Sequence, residues 1–279
     1  MKLLLCPICK SELTQCGNSL RCEKSHCFDL AREGYVNLLT GSKSGELIGD
    51  NADMARCRKN FLDKGYFQPL AERICEIINE SNSRTVVDIC CGEGYYTEYI
   101  KVNTGADIYG FDISKQMVRL AAKRRCGANF FVANMADIPL ADSAADCAVH
   151  LFAPFCENEF ARIIKSGGLL ISVAPGRHHL HKLKEKLYDT PYENDEAPPE
   201  LKGFTLIRTE NVKAEIHLNS SEDIDALFRM TPYYYHTSQA DKEKLTGLDS
   251  LDTQTDFFIR IYLKDIPQGL SYETYKTRN

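Results

Sequence analysis

The sequence predicts an α/β protein built on a doubly wound, mostly parallel sheet, with a small metal-stapled unit at its N-terminus. Three observations predict it. Apolar runs alternate with helical patterns between Thr85 and Val173, the rhythm of right-handed βαβ crossovers. Within the first of these units, Thr85-Val86-Val87-Asp88-Ile89 opens into the turn Cys90-Cys91-Gly92-Glu93-Gly94 and then a helix from Tyr95. A strand–turn–helix of this kind sets a ligand at the carboxyl edge of such a sheet, and its glycines let backbone come close to it. Third, of 12 cysteines, Cys6, Cys9, Cys16, Cys22 and Cys27 crowd into the N-terminal stretch.

Taken in order, Cys6-Pro7-Ile8-Cys9, Cys22 and His26 form C-x₂-C-x₁₂-C-x₃-H, three thiolates and an imidazole suited to tetrahedral Zn²⁺. Cys27 is the alternative fourth ligand, and Cys16 is a spare. A redox C-x-x-C is the rival reading, but it belongs at a helix start in a βαβ context, which is missing. Four ligands close the coordination sphere, so the zinc is expected to be structural and to supply most of the stability of so small a unit. Leu13 to Arg21 suits a hairpin turning at Gly17-Asn18. The scattered Cys57, Cys75, Cys90, Cys91, Cys126, Cys147 and Cys156 read as small buried hydrophobes.

The expected organisation is a knuckle over 1–34, a linker and helix over 35–68, and the main domain over 69–279. No run reaches the roughly 18 to 20 apolar residues of a membrane helix, and Met1-Lys2-Leu3-Leu4-Leu5 runs into Cys6-Pro7 without forming a signal-peptide core. A cytoplasmic location is the default expectation, and disulfides are disfavoured there. A net charge of −5 argues against wholesale binding of nucleic acid but leaves room for a local basic face.

Gly41 to Gly49 reads as a polar connection, and Asp50-Asn51 as the cap of a helix from about 52 to 64 carrying Arg56, Arg58 and Lys59. A solvated face explains those charges equally well. Gly65 to Leu70 interrupts, and Leu70 to Asn79 resumes a helical pattern. Tyr95 to Lys101 follows as helix, then Ile108 to Asp112 as strand. Asp112 stands where an acid accepts hydrogen bonds from ribose hydroxyls, although it also suits a helix cap before the helix ending near Arg125. Strands are expected at Asn129 to Ala133 and Asp146 to Phe152, a helix at Glu157 to Ile164, a turn at Lys165 to Gly168 and a strand at Leu169 to Val173. Beyond these lie the basic run Arg177 to Lys186, a loop over Tyr192 to Leu201, a strand over Phe204 to Leu218, a helix over Ser221 to Met230 capped by Ser220 or Ser221, and a closing strand over Asp256 to Leu263. Tyr233-Tyr234-Tyr235 suits base stacking or packing beneath a cleft.

Asp88, Gly92 and Gly94 fall in D-x-x-x-G-x-G, which resembles the first motif of S-adenosylmethionine methyltransferases and not the dinucleotide G-x-G-x-x-G. A more specific resemblance runs through Cys6-Pro7-Ile8-Cys9, Phe28-Asp29, Glu33 to Leu39, Phe61-Leu62-Asp63, Gln68-Pro69-Leu70, Asp88-Ile89 with Cys91 to Thr97, Ala153-Pro154, Pro175-Gly176, Gly203 to Leu206, Met230-Thr231-Pro232 and Gln254 to Phe257. On these stretches the chain is similar to the 23S ribosomal RNA (guanine-N1)-methyltransferases, including the group linked with macrolide resistance. The resemblance implies a Rossmann-like class I methyltransferase fold and transfer of a methyl group from S-adenosylmethionine to N1 of a guanine in a 23S rRNA hairpin. It also implies a homodimer, zinc on Cys6, Cys9, Cys22 and His26, and a cofactor pocket at Phe67, Gly92, Glu93, Asp112 and His179. Asp88 and Gly94 join that pocket through the motif, and Asn134 stands where an acid often meets adenine. Two departures are Cys90 in place of glycine and Phe67 in place of tyrosine.

Guanine N1 carries a proton at neutral pH, so the reaction needs a base within reach or a site that favours the anion. His150 and Asp256 are the candidate bases; a packing role is the alternative for His150. Lys182, Lys184 and Lys186 are candidate phosphate contacts, with a solvated helix face as the alternative. Competing functions are a small-molecule S-adenosylmethionine methyltransferase and a non-catalytic, zinc-containing RNA-binding or cofactor-sensing protein.

Overall fold

The computed structural model describes residues 1–40 and 52–266; the polar connection over 41–49 and the Asp50-Asn51 cap lie outside the described residues. The knuckle is a three-stranded antiparallel sheet of β1 (Thr14–Cys16), β2 (Ser19–Arg21) and β3 (Cys27–Asp29) in the order β1-β2-β3. Cys16 pairs with Ser19 across the expected turn, where Gly17 takes φ +61°.

The remaining elements are β4 (Val36–Asn37), α1 (Ala52–Leu62), α2 (Gln68–Glu80), β5 (Thr85–Ile89), α3 (Tyr95–Thr104), β6 (Asp107–Asp112), α4 (Lys115–Lys123), β7 (Asn129–Val132), β8 (Ala145–Leu151), α5 (Glu157–Ile163), β9 (Ile164–Pro175), α6 (His181–Leu187), β10 (Phe204–Leu218), α7 (Ser221–Arg229), α8 (Tyr233–His236), α9 (Gln239–Glu243) and β11 (Leu251–Lys264). Eight strands form one sheet in the order β10-β11-β9-β8-β5-β6-β7-β4. From β9 to β4 all pairings are parallel; β11 runs antiparallel to β9 and carries β10 at the edge. This is the doubly wound, mostly parallel sheet expected, extended by an antiparallel pair. None of the described helices is long and apolar enough to cross a membrane.

Local causes are legible in the residues. Val86, Val87 and Ile89 of β5 are buried, as a strand covered on both faces requires. Pro69 pre-sets the first turn of α2, whose Leu70, Ile74, Ile77 and Ile78 turn inward. Ser114 caps α4 by accepting from the Met117 amide, and Ser220 caps α7 by accepting from that of Asp223.

One apolar layer gathers Phe61, Phe67, Ile74, Ile100, Leu183, Leu227 and Phe257. The opposite layer joins Tyr109, Phe111, Phe131 and Phe160 to Leu4, Leu13 and Leu20 of the knuckle. The knuckle therefore shares a core with the large sheet. Leu4 bridges Leu140, the Met1 amino group donates to Asn129 Oδ1 at 2.9 Å, and β4 adds an edge beside β7.

The turn expected at Lys165 to Gly168 lies inside β9. Ala145 pairs with Ile164 and Cys147 with Leu169, so β9 carries extra residues against β8. The turn survives as a bulged excursion of one long strand, with Gly167 at φ +72°. The closing strand likewise begins at Leu251, five residues before the expected Asp256.

Candidate functional site

In the knuckle, the ligand atoms of Cys6, Cys9, Cys22 and His26 all lie within 4.8 Å of one another. His26 Nδ1 is 3.4 Å from both Cys6 Sγ and Cys22 Sγ, and Cys9 Sγ is 3.6 Å from Cys22 Sγ. The Ser11 hydroxyl, 3.0 Å from Cys9 Sγ, helps lower that thiol to about 6. Three sulfurs and one imidazole in this compact set suit tetrahedral zinc. Cys27 and Cys16 are exposed and stand apart from the group.

The second site begins at the turn after β5. Cys90 takes φ +58°, so the residue that replaces glycine still adopts a glycine-like conformation. Gly92 takes φ +56°, and a Cβ there would meet nothing within 4 Å, which leaves room for a ligand. Its amide donates to Asp112 Oδ2 at 3.1 Å, while Oδ1 of the same carboxylate accepts from the Ser114 amide at 2.8 Å. Asp112 is thus tied to the turn and to the start of α4 together.

Other residues expected at the cofactor support this turn from behind. A Cβ on Gly94 would stand 2.7 Å from the Ala121 Cβ, so Gly94 is where α3 packs on α4. Asp88 is buried beneath the turn, accepts from the Thr97 hydroxyl at 2.5 Å, and is pushed up by burial to about 7. Glu93 is buried against Arg124, which also reaches Asp63 at 2.8 Å and Glu98 at 2.6 Å. The carboxylates hold the Arg124 guanidinium above its ordinary range, while burial pushes the Glu93 carboxyl up and Arg124 opposes that shift. Asn134 is exposed, and its Oδ1 accepts from the Ala136 amide at 3.0 Å.

A cavity of about 660 Å³ opens beyond the carboxyl ends of β8 and β9. Phe67 and His179 line it, their rings 5.0 and 4.5 Å from that of Phe257. His179 Nδ1 accepts from the Asp256 amide at 3.2 Å, and burial drives the ring down to about 3, so it is neutral. Phe152 and Phe155 present exposed rings to the same space. Among the described residues, no aspartate or glutamate lines it.

His150 also lines the cavity, but both ring nitrogens are engaged. Nε2 is 3.0 Å from the Pro154 carbonyl, which only accepts, so Nε2 carries the proton. Nδ1 then accepts from the Ser172 hydroxyl at 3.4 Å. Burial lowers this histidine as well. Asp256 faces away from the cavity. Its carboxylate accepts from Asn211 Nδ2 at 2.7 Å and the His178 amide at 3.2 Å, with Lys213 Nζ at 3.7 Å. A Cβ on Gly176 would sit 2.5 Å from Asp256 Oδ1, so the turn after β9 is pressed onto this side chain.

The basic run is divided. Lys182 and Lys186 are exposed, whereas Lys184 is fully buried. Lys184 Nζ donates to the Tyr192 carbonyl and Asn194 Oδ1, each at 3.1 Å, and lies 4.3 Å from the centre of the Tyr192 ring. Its expected phosphate contact is therefore corrected: it clamps the loop that walls the cavity, and burial lowers it to about 8. Of the three tyrosines, Tyr233 is buried and Tyr235 is exposed, and both line the cavity.

Sequence reasoning missed three polar residues of this cavity: Tyr96, Ser172 and Arg260. The Tyr96 hydroxyl is buried without a hydrogen-bond partner, an orphan that a bound polar group would satisfy. Tyr96 follows the glycine turn directly and could have been singled out by that position. Ser172 and Arg260 carry no such mark; only strand register brings them together.

Comparison with known proteins adds a second line of observation. A family model described as "RlmA, N-terminal" matches residues 4–43, and one described as "Methyltransferase domain" matches residues 86–168. A Streptomyces fradiae protein named 23S rRNA (guanine(748)-N(1))-methyltransferase is 37% identical over 193 residues, covering 67% of this chain and 68% of its own length. YxjB of Bacillus subtilis (strain 168), provisionally named a 23S rRNA (guanine-N(1)-)-methyltransferase, is 30% identical over 274 residues, 93% of this chain and 96% of its own. Among solved structures, that of MccD protein covers 71% of this chain and 98% of its own at 16% identity, with a TM-score of 0.44.

Proposed function

The chain belongs to the 23S rRNA (guanine-N1)-methyltransferase family, and from that premise we propose which of its residues carry the reaction. The enzyme uses S-adenosylmethionine to methylate N1 of a guanine in 23S rRNA, and it carries a structural zinc. In our reading, the zinc is held by Cys6, Cys9, Cys22 and His26. The cofactor lies across Gly92, with Asp112 taking its ribose hydroxyls and Asn134 beside its adenine. Tyr96 and Arg58, which share one side of the cavity, take its carboxylate. Phe67 and His179 close the pocket around it. Asp88, Glu93 and Gly94 set the shape of the turn without reaching the ligand.

S-adenosylmethionine, when bound, supplies a sulfonium-activated methyl group. The chain's task is to bring guanine N1 into line with it and keep water away. We assign the cavity beside the turn to the target base, unstacked from an rRNA hairpin and held against Phe152 or Phe155. The observation that carries this assignment is the adjacency of the glycine turn and an aromatic cavity at the same sheet edge. The exposed Lys182 and Lys186 contact phosphates. His150 packs the wall and Asp256 pegs the turn after β9, neither acting as the base. The reading extends to a cytoplasmic homodimer and to macrolide resistance. Chain mass in solution tests the dimer, and drug susceptibility of cells with and without the enzyme tests the resistance.

Incubation with methyl-labelled S-adenosylmethionine and unmodified 23S rRNA tests the reaction. Label should enter the rRNA, and reverse transcription should stop at one guanine, because N1 methylation blocks pairing. Label in small metabolites would favour a small-molecule methyltransferase, which has no need of the knuckle. Tight binding without transfer would favour a cofactor-sensing protein.

A further inference from the structure

The cavity assigned to the base contains an arginine that nothing so far employs. Arg260 of β11 pairs in register with Ser172 of β9, and Ser172 with His150 of β8. One rung of the sheet therefore carries three polar side chains, only 5%, 2% and 1% exposed, and all three line the cavity. Arg260 Nη2 donates to the Glu196 carbonyl at 2.7 Å. No carboxylate among the described residues lies within ion-pair range of it. A buried guanidinium whose partners are a neutral carbonyl and, 5.8 Å away, the Phe258 ring is costly. Among the described residues, the wall of the cavity holds no carboxylate to offer it a counter-charge. The arrangement suits a ligand that brings negative charge at the moment of reaction.

We propose that Arg260 grips O6 of the target guanine and stabilises the N1-deprotonated base, making the site an anion trap that needs no general-base side chain. This rests on the base-binding assignment above. Guanidinium donors match the O6/N7 edge of guanine, and N1 deprotonation places the charge largely on O6. In the balanced step the N1–H bond breaks and its proton goes to solvent. The N1 electron pair forms the new bond to the methyl carbon. The carbon–sulfur pair stays on sulfur, leaving neutral S-adenosylhomocysteine. Adenine, with an amino group in place of O6, would set donor against donor, so the same residue selects guanine.

The test is a pH profile from about pH 6 to 9, the range in which a base of this kind titrates. Burial lowers His150 and takes His179 down to about 3, and burial raises Tyr96, Tyr192 and Tyr233. Lys184, lowered to about 8, titrates in the window but is common to every variant, so it cancels in a ratio. Wild-type kcat should rise with pH and level off below the pKa of free guanosine N1. Arg260→Met should move that break upward, losing at least about tenfold at neutral pH and less as pH rises. Equilibrium binding of the mapped 23S rRNA fragment with S-adenosylhomocysteine gives a readout without turnover. Affinity should increase with pH for wild type and lose that increase in Arg260→Met.

A loss by one constant factor at every pH, with the binding profile unchanged, would overturn the proposal. If the Met variant fails to fold, Arg260→Lys carries the test, since a point charge holds O6 less well than a fork. Its break should then fall between those of wild type and free guanosine, and a break coincident with wild type refutes the idea. Wild-type enzyme that produces no N1 stop would instead refute the base assignment itself.

Discussion

Tyr96 and Asp88 stand on opposite sides of one turn, and each is buried with a polar group that the fold only partly accommodates. Removing the orphan hydroxyl with Tyr96→Phe should leave the free protein as stable or slightly more so, while weakening S-adenosylmethionine by about 1 to 2 kcal/mol. Calorimetric titration beside a melting curve decides it; equal affinity for both proteins refutes the cofactor contact. Asp88 makes a pH prediction. Burial disfavours the charge and pushes its pKa in the folded protein to about 7, above the ordinary 3.8. The sign follows: its stabilising contribution is complete below about pH 4 and is lost as pH rises through 7. Relative to Asp88→Asn, the wild type should therefore lose stability across that interval. Parallel denaturation curves at pH 4 and pH 8 would contradict the assignment.

Among the elements, α6 shows how far a charge pattern can mislead. Arg177 to Lys186 reads as one basic face, yet helical spacing turns Lys184 inward between Tyr192 and Tyr233 while Lys182 and Lys186 point outward. Replacing Lys182 and Lys186 together with glutamine should reduce the salt slope of rRNA binding by about 2, the number of phosphate contacts removed. Lys184→Met should leave that slope intact and instead loosen the Tyr192–Asn194 wall, raising KM for rRNA. Filter binding over a salt series separates the two, and a changed slope for Lys184→Met would refute the clamp. The elements themselves were largely legible. Thr85 to Ile89, Tyr95 onward, Asp107 to Asp112 and Phe204 to Leu218 follow from apolar runs bounded by glycine or acidic caps. What stayed hidden depends on pairing: the bulge that absorbs Lys165 to Gly168, and the short β4, whose two residues signal nothing until β7 lies beside them.

For the whole molecule, the N-terminal zinc unit and the large sheet behave as one body, because Leu4, Leu13 and Leu20 share a core with Tyr109 and Phe131. Chelating the zinc should therefore lower the melting temperature of the entire chain in a single transition. Scanning calorimetry with and without a chelator tests this, and two separated transitions would show an independent knuckle. The candidate site was legible in proportion to how local it is. C-x₂-C-x₁₂-C-x₃-H and the turn at Gly92 each lie within one short stretch. By contrast, the rung of His150, Ser172 and Arg260 is assembled from three strands far apart in the chain, and only their register reveals it.

That rung also bears on how the protein is made. β11 is threaded between β9 and β10, and among the described strands β10 pairs with β11 alone. A chain emerging from the ribosome presents its glycine turn well before β11 exists to supply Arg260. During that interval Phe67 and His179 also lack Phe257, the β11 ring against which both pack. On the role proposed for Arg260, an enzyme born amid its own substrate completes its base site only once its synthesis has passed β11.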